Sequence, residues 1–426
     1  MKINKISSLI FIFMLFGCNS INALTATPVI QPSIKAFTAL PSLAPTVVTP
    51  IPSATKHAEA DLPEGCINLM PTTLNPLKID GLFVTGGYLF DPQTWQKVNL
   101  ADGGQQLSSY YPVSPNKKYM LASVRINDRE YYYVLKTPGK VSKIDIPIPE
   151  GWIFSWWSDN EHIVFYTLEP DEYLNSWNPF TGEVKRIKLD VPNAVDQYFA
   201  PGLYLVHAYS DPTLERVFYG SKDGRLILWN LETKKEIASL PMPMQAEGSS
   251  AEAFFPVFGG WSPEGKKLIT PWPIWFGNMK PPANELYVFD ADGNISQLTD
   301  LNQKYTFANA EEPVWSPDGR QVGFWLRIGD SNSKPLVLHQ WLAVFDTNTK
   351  ETNVYCLATG IPEHPGSDII WSPNDQQLIV NIELPNGNYS YSPILVDLIH
   401  QTQSVLDLPD LGGENKQTRV GEWIVR

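Results

Sequence analysis

The sequence offers three cysteines, six histidines and scattered acidic side chains for chemistry, and their spacing restricts what they could do. His57, His162, His207, His339, His364 and His400 form no close pair and no His-Glu-x-x-His. No cysteine pair has zinc spacing. No metal or other cofactor is therefore expected, no catalytic residue is assigned, and each histidine reads as a structural side chain. Cys66 and Cys356 either form one disulfide, clamping a leader segment to the domain that follows, or stay separate thiols. Asp290-Ala-Asp-Gly-Asn294 begins like a calcium loop but lacks the glutamate due near Leu301, so it reads as a hairpin turn. The run Thr270-Pro-Trp-Pro-Ile-Trp-Phe-Gly-Asn-Met-Lys-Pro-Pro-Ala-Asn284 is read as a loop excursion, and Leu326–Lys334 occupies the same connection in the next repeat. Trp272, Trp275, Phe276 and Arg327 would then form a partner-binding rim, unless the aromatics pack back onto the domain. A site assembled from distant segments would draw on His207, Glu312, Asp368 and Glu422.

These residues need an address and a scaffold. Lys2 and Lys5 precede the apolar run Leu9–Phe16, which is too short to span a ~30 Å hydrocarbon core, and Gly17-Cys18 follows. This is an export signal. Leu15-Phe16-Gly17-Cys18 resembles a bacterial lipobox, with Phe16 bulkier than the usual occupant, which implies lipidation of Cys18; an ordinary secretory signal with an incidental cysteine is the alternative. Removing Lys2 and Lys5 would deepen the formal charge from −13 to −15, so the lipid must be the anchor. Leu24 to Ala60 holds six prolines among Thr, Ser and Ala and too little apolar surface to offset chain entropy, as expected of an extended tether. The expected organisation is a signal at 1–17, a tether at 18–60 and one domain at 61–426.

Within that domain a unit recurs, clearest as Gly260-Trp-Ser-Pro-Glu-Gly265, Val314-Trp-Ser-Pro-Asp-Gly319 and Ile370-Trp-Ser-Pro-Asn-Asp375. Weaker copies begin at Val113, Trp157 and Tyr209. Each precedes a strand-like run, and in most units a second strand pair follows, as in Glu285–Asp290 and Asn294–Leu298 around Ala-Asp-Gly. Proline presets the turn, Asp or Asn closes it and glycine takes the positive φ. The residues before the serine, Val113, Trp157, Tyr209, Trp261, Trp315 and Trp371, are about 50 apart, and one more step reaches Trp423. Four strands at that period mean propeller blades. Trp423 has only one strand around it, while Gly81–Thr85, Gly87–Asp91 and Gln96–Leu100 are left over at the front. The expectation is an all-β, seven-bladed propeller closed by one C-terminal strand and three N-terminal ones. Six blades with an edge hairpin, or eight, are the alternatives.

The Trp-Ser-Pro-Asp-Gly units resemble the repeats of TolB and WD40-like propellers over about Ile79 to Arg426. That resemblance implies the fold, with functions from interaction platforms to the substrate gate of prolyl-oligopeptidase-type hydrolases; the hydrolase half, with its Gly-x-Ser-x-Gly elbow, is absent. Composition agrees: 28 Gly, 37 Pro and 12% aromatics suit strands and turns, and the net charge of −13 argues against unaided binding of nucleic acid or anionic lipid. The reading is an exported, membrane-anchored monomer, on the inner or outer membrane, with its ring facing the periplasm or the exterior. Its ring would bind a protein, peptide or glycan partner without catalysis; the rival is a lyase or hydrolase at the central mouth.

Overall fold

Hydrogen bonds explain why the repeat folds as it does. The serine Oγ accepts the N–H five residues on, from Tyr119 to Ser114 (2.9 Å), Lys267 to Ser262 (3.1 Å), Gln321 to Ser316 (2.9 Å) and Gln377 to Ser372 (2.9 Å). The hydroxyls of Ser114, Ser316 and Ser372 donate in turn to Asn116, Asp318 and Asn374. The residue after that position is left-handed, with φ 59° at Lys117, 68° at Gly265, 70° at Gly319 and 61° at Asp375. A second device closes the turn between third and fourth strands: Asp91, Asn178, Asn230, Asp290, Asp346 and Asp397 each accept the N–H two residues on. These Asx turns fix strand register locally, before any long-range packing.

The computed structural model describes residues 66–425 apart from 75–78, 86–87, 95, 99–108, 127–128, 137–139, 144–154, 158, 168–172, 195, 201–202, 207, 212, 242–259, 275–282, 306–307, 330–337, 358–367, 384–390, 407 and 409–418. The signal and tether expected at 1–60 lie outside the described residues.

The described strands form seven sheets of four or five strands, numbered I to VII, and one two-stranded sheet. Sheet I joins Val420–Ile424 to Leu82–Thr85, Tyr88–Asp91 and Gln96–Lys97. Sheet II holds Ser109–Val113, Tyr119–Ile126, Arg129–Lys136 and Lys140–Lys143. Sheet III holds Ser155–Trp157, Ile163–Thr167, Tyr173–Trp177 and Val184–Lys188. Sheet IV holds Ala208–Ser210, Arg216–Ser221, Arg225–Asn230 and Lys235–Pro241. Sheet V holds Gly260–Trp261, Lys267–Ile274, Ala283–Asp290 and Ile295–Gln297. Sheet VI holds Ala308–Trp315, Gln321–Gly329, Leu338–Asp346 and Thr352–Cys356. Sheet VII holds Ile369–Trp371, Gln377–Glu383, Tyr391–Asp397 and Thr402–Val405. The small sheet, Asp196–Ala200 with Leu203–Val206, sits in sequence between III and IV and had no counterpart in the repeat pattern.

Among the described residues, seven apolar clusters join these sheets in sequence. Leu121 packs with Phe165 between II and III, Val164 with Tyr219 between III and IV, and Phe218 with Phe289 between IV and V. Leu286 packs with Phe324 between V and VI, and Trp325 with Trp371 between VI and VII. Ile379 meets Trp423 between VII and I, and Val84 meets Met120 between I and II, so the last contact returns to the start. First strands of neighbouring sheets approach one another, which makes them the inner edge. This is the β-propeller architecture, in which stacking radial sheets buries both faces of each.

The recurring tryptophan also bridges sheets. The Trp371 indole N–H donates to the carbonyl of Val314 (3.1 Å) and that of Trp315 to Gly260 (3.2 Å), each reaching the residue before the equivalent Trp of the preceding sheet. Closure in sheet I pairs Phe83 with Trp423 and Leu82 with Ile424. Gly81 lies against it at φ 111°, where a Cβ would sit 2.5 Å from Trp423 Nε1. Asn381 of sheet VII, fully buried, accepts the Val420 N–H (2.9 Å) and donates to its carbonyl (2.8 Å), holding the C-terminal strand in place.

The leader adds a feature to the expected ring. Cys66 is disulfide-bonded to Cys356, with Cα atoms 5.6 Å apart. Ile67–Asn68 then pairs parallel with the outer strand of sheet VI, and Met70–Pro71 with that of sheet VII, making each a five-stranded sheet. A strap across two outer edges also covers backbone groups that would otherwise template association.

Candidate functional site

At the inner edge, Glu311-Glu312-Pro313 breaks the first strand of sheet VI. Pairing with the second strand shifts between Glu311 and Val314, and Glu312 has φ 52°. Left-handed backbone costs a non-glycine roughly 1–2 kcal/mol, and the following proline disfavours that region again. The bulge is therefore imposed by its surroundings, and such bulges re-aim side chains. Glu312 is exposed, and its carboxyl is pushed up by desolvation, then by the charges of Asp368 and Glu311. Asp368, just ahead of sheet VII, also acts on Glu422 of sheet I. Glu422 is 22% exposed and is pushed up by desolvation, opposed by the Lys117 ammonium 3.4 Å away. Carboxylates of three successive sheets thus share one electrostatic neighbourhood, with a lysine from the fourth, sheet II, at its border.

Arg327 borders the same region. Its Nη1 donates to Glu311 at 3.0 Å, and it pairs across the sheet with Asn309 on one side and Gln340 on the other. Asn309 (7% exposed) and Gln340 (4%) are buried, yet among the described residues Asn309 Oδ1 and Gln340 Nε2 have no hydrogen-bond partner. Buried unsatisfied polar groups cost about 1–3 kcal/mol each.

The structure places the other sequence-derived candidates elsewhere. Trp272 is not on a rim: Pro271–Ile274 belong to a strand that pairs with Ala283–Leu286, and the Trp272 ring, 6% exposed, packs with Phe218, Leu268 and Phe289. Trp275, Phe276, His207, His57, His364 and Cys18 lie outside the described residues. Arg327 is 24% exposed and ion-paired rather than free. Asp290 serves its turn: burial works against its charge, but Asn294 and backbone N–H groups of the turn outweigh that and hold its carboxyl low. Among the described residues no group of three or more His, Cys, Asp or Glu could hold a metal ion. Lys117, Glu311, Asn309 and Gln340 were missed. For Lys117 a signal existed, since it stands where other repeats have glycine.

No protein-family model matches the chain, and no curated protein sequence matches it. Similar solved structures include TolB from Acinetobacter baumannii (15% identity, TM-score 0.36, covering 76% of this chain and 77% of that one). An oligogalacturonate lyase from Vibrio parahaemolyticus follows at 10% identity and TM-score 0.41, covering 74% and 82%. The Cps50 (Swd1) β-propeller domain from Myceliophthora thermophila is similar at 13% and 0.35, covering 69% and 86%. At these values the fold rests on the sheets and clusters above.

Proposed function

We propose that this protein is an exported lipoprotein, anchored through Cys18 and held off the membrane by its proline-rich tether. Its seven sheets are read as seven blades of a ring whose inner mouth binds a protein or peptide partner. The seven described sheets of four or five strands and the cycle of seven clusters support the blade number. One observation carries the binding site: Glu312, re-aimed by its bulge, shares one electrostatic neighbourhood with Asp368 and, through it, with Glu422 of a third sheet. Excess carboxylate with desolvated members favours a cationic group, so the partner presents a lysine or arginine there. Paired strands hold Glu312 and Glu422 with little ordering cost, as a binding platform needs.

The test is capture from the native envelope with the full-length protein and with Glu312→Gln/Asp368→Asn. Loss of one defined partner from the variant, with the ring still folded, supports the reading; equal capture overturns it. A propeller enzyme, a lyase or hydrolase, is a second reading. It is favoured by Glu312 and Glu422 both being pushed up, as a general acid requires. Turnover of a glycan or peptide that Glu312→Gln abolishes would favour it over the platform.

A further inference from the structure

Away from the mouth, a cavity of about 220 Å³ lies where the segment leaving sheet V meets the outer hairpin of sheet VI. Leu298, Leu301 and Val354 give it an apolar floor, and Lys304, Lys350 and Thr352 supply polar groups. Neither lysine has an ion-pair partner among the described residues: the Lys304 ammonium stands 5.3 Å from the centroid of the Tyr305 ring and that of Lys350 6.0 Å from the Phe345 ring. Asp300 also lines the cavity and accepts from Gln297 (3.2 Å) and Gln303 (3.5 Å), which leaves the lining with one more positive than negative charge. Thr299 is committed, donating to the buried Glu285 at 2.6 Å. Tyr305 also lines the cavity; it is 3% exposed, and among the described residues its buried hydroxyl has no partner.

We propose that this cavity binds a small organic carboxylate, with its charged end between Lys304 and Lys350 and its apolar body on Leu298, Leu301 and Val354. A local excess of cations on a chain of net charge −13 needs a local reason. The volume corresponds to about seven waters, so the ligand is the size of a single amino acid rather than a larger organic molecule. Two ammonium groups over an apolar floor select an anion with a hydrophobic body. This site does not depend on the mouth and stands or falls separately.

The test is calorimetric titration of the full-length protein with N-acetyl-L-leucine, its uncharged amide, L-lactate and inorganic phosphate. The carboxylate is expected to bind, the amide at least tenfold more weakly, and Lys304→Gln/Lys350→Gln to lose at least tenfold in affinity with an unchanged unfolding midpoint. Phosphate binding as tightly as N-acetyl-L-leucine would make the site a simple anion site and overturn the organic assignment. Equal binding of acid and amide, insensitivity to both lysines, or no binding of either carboxylate at 10 mM would overturn the proposal.

Discussion

Removing the Cys66–Cys356 bond should loosen one strap and destabilise the whole ring. The bond joins residues 290 apart in sequence. In the chain-entropy description, closing a loop of that length removes about 19 cal/mol/K from the unfolded chain, or about 5.7 kcal/mol at 25 °C. Measured values usually fall below that ceiling, so Cys66→Ser/Cys356→Ser should lose about 2–5 kcal/mol. Replacing both cysteines avoids a free thiol. The assay is urea unfolding followed by tryptophan fluorescence and by circular dichroism, read where the two transitions coincide. A lower midpoint is expected, with the native spectrum retained. Hydrogen exchange adds a local readout: amides of 67–72, which pair with the outer strands of sheets VI and VII, should exchange much faster, while those of Gln377–Glu383 remain protected. A midpoint shift worth less than ~0.5 kcal/mol, with the leader amides still protected, would refute the strap argument.

Other perturbations test single contacts. Asn381→Ala leaves the N–H and carbonyl of Val420 buried without partners and should cost about 2–4 kcal/mol by denaturant titration. Gly81→Ala forces a Cβ against Trp423 at φ 111° and should destabilise the closing sheet by several kcal/mol, seen as loss of a cooperative transition or a sharply lower melting temperature. The Asp375 carboxyl is pushed up to about 6, mainly by burial and then by the Asp318 charge, against the N–H of Asp318 that it accepts. Because its folded pKa lies above the unfolded one, the native state holds the proton more tightly, so this group's stabilising contribution is present at low pH and is lost as pH rises from about 4 through 6. Asp375→Asn keeps the acceptor and removes the charge. Stability at pH 7 should rise relative to pH 4 compared with the parent, and an unchanged pH profile would contradict the assignment.

Much of the ring is visible in the chain because its devices are local. Serine, proline, an Asx and a left-handed residue lie within five positions, so their type betrays the turn wherever it recurs. Trp423 could be found by period alone, and it pairs with Phe83 from the front of the domain. The strap could not: Ile67–Asn68 and Met70–Pro71 are two-residue strands whose partners lie across the chain, with no pattern of their own. The misread excursion has a physical cause. Pro271 and Pro273 suggest a loop because they lack N–H donors, yet the strand continues through both, paired with Ala283–Leu286.

Of the candidate site, the acidic residues were legible and their setting was not. Glu312, Asp368 and Glu422 follow from placing inner strands by period. The bulge at Glu312 and the unsatisfied pair Asn309 and Gln340 depend on register between strands, which no local pattern encodes. Where glycine gives way in the turn, the replacement reaches a neighbouring sheet: Lys117 to Glu422, and Asp375 to the N–H of Asp318. Non-glycine residues bear a cost in that conformation, and these inter-sheet contacts offset it.

The claim that a cationic partner group is held at the inner mouth is tested most directly by quantitative capture from native envelopes. The bait is the full-length protein, compared with Glu312→Gln/Asp368→Asn at low and moderate salt. The account predicts one partner enriched by the parent, released as salt rises, and reduced at least tenfold with the variant. The same partner recovered in equal yield by both proteins would contradict it.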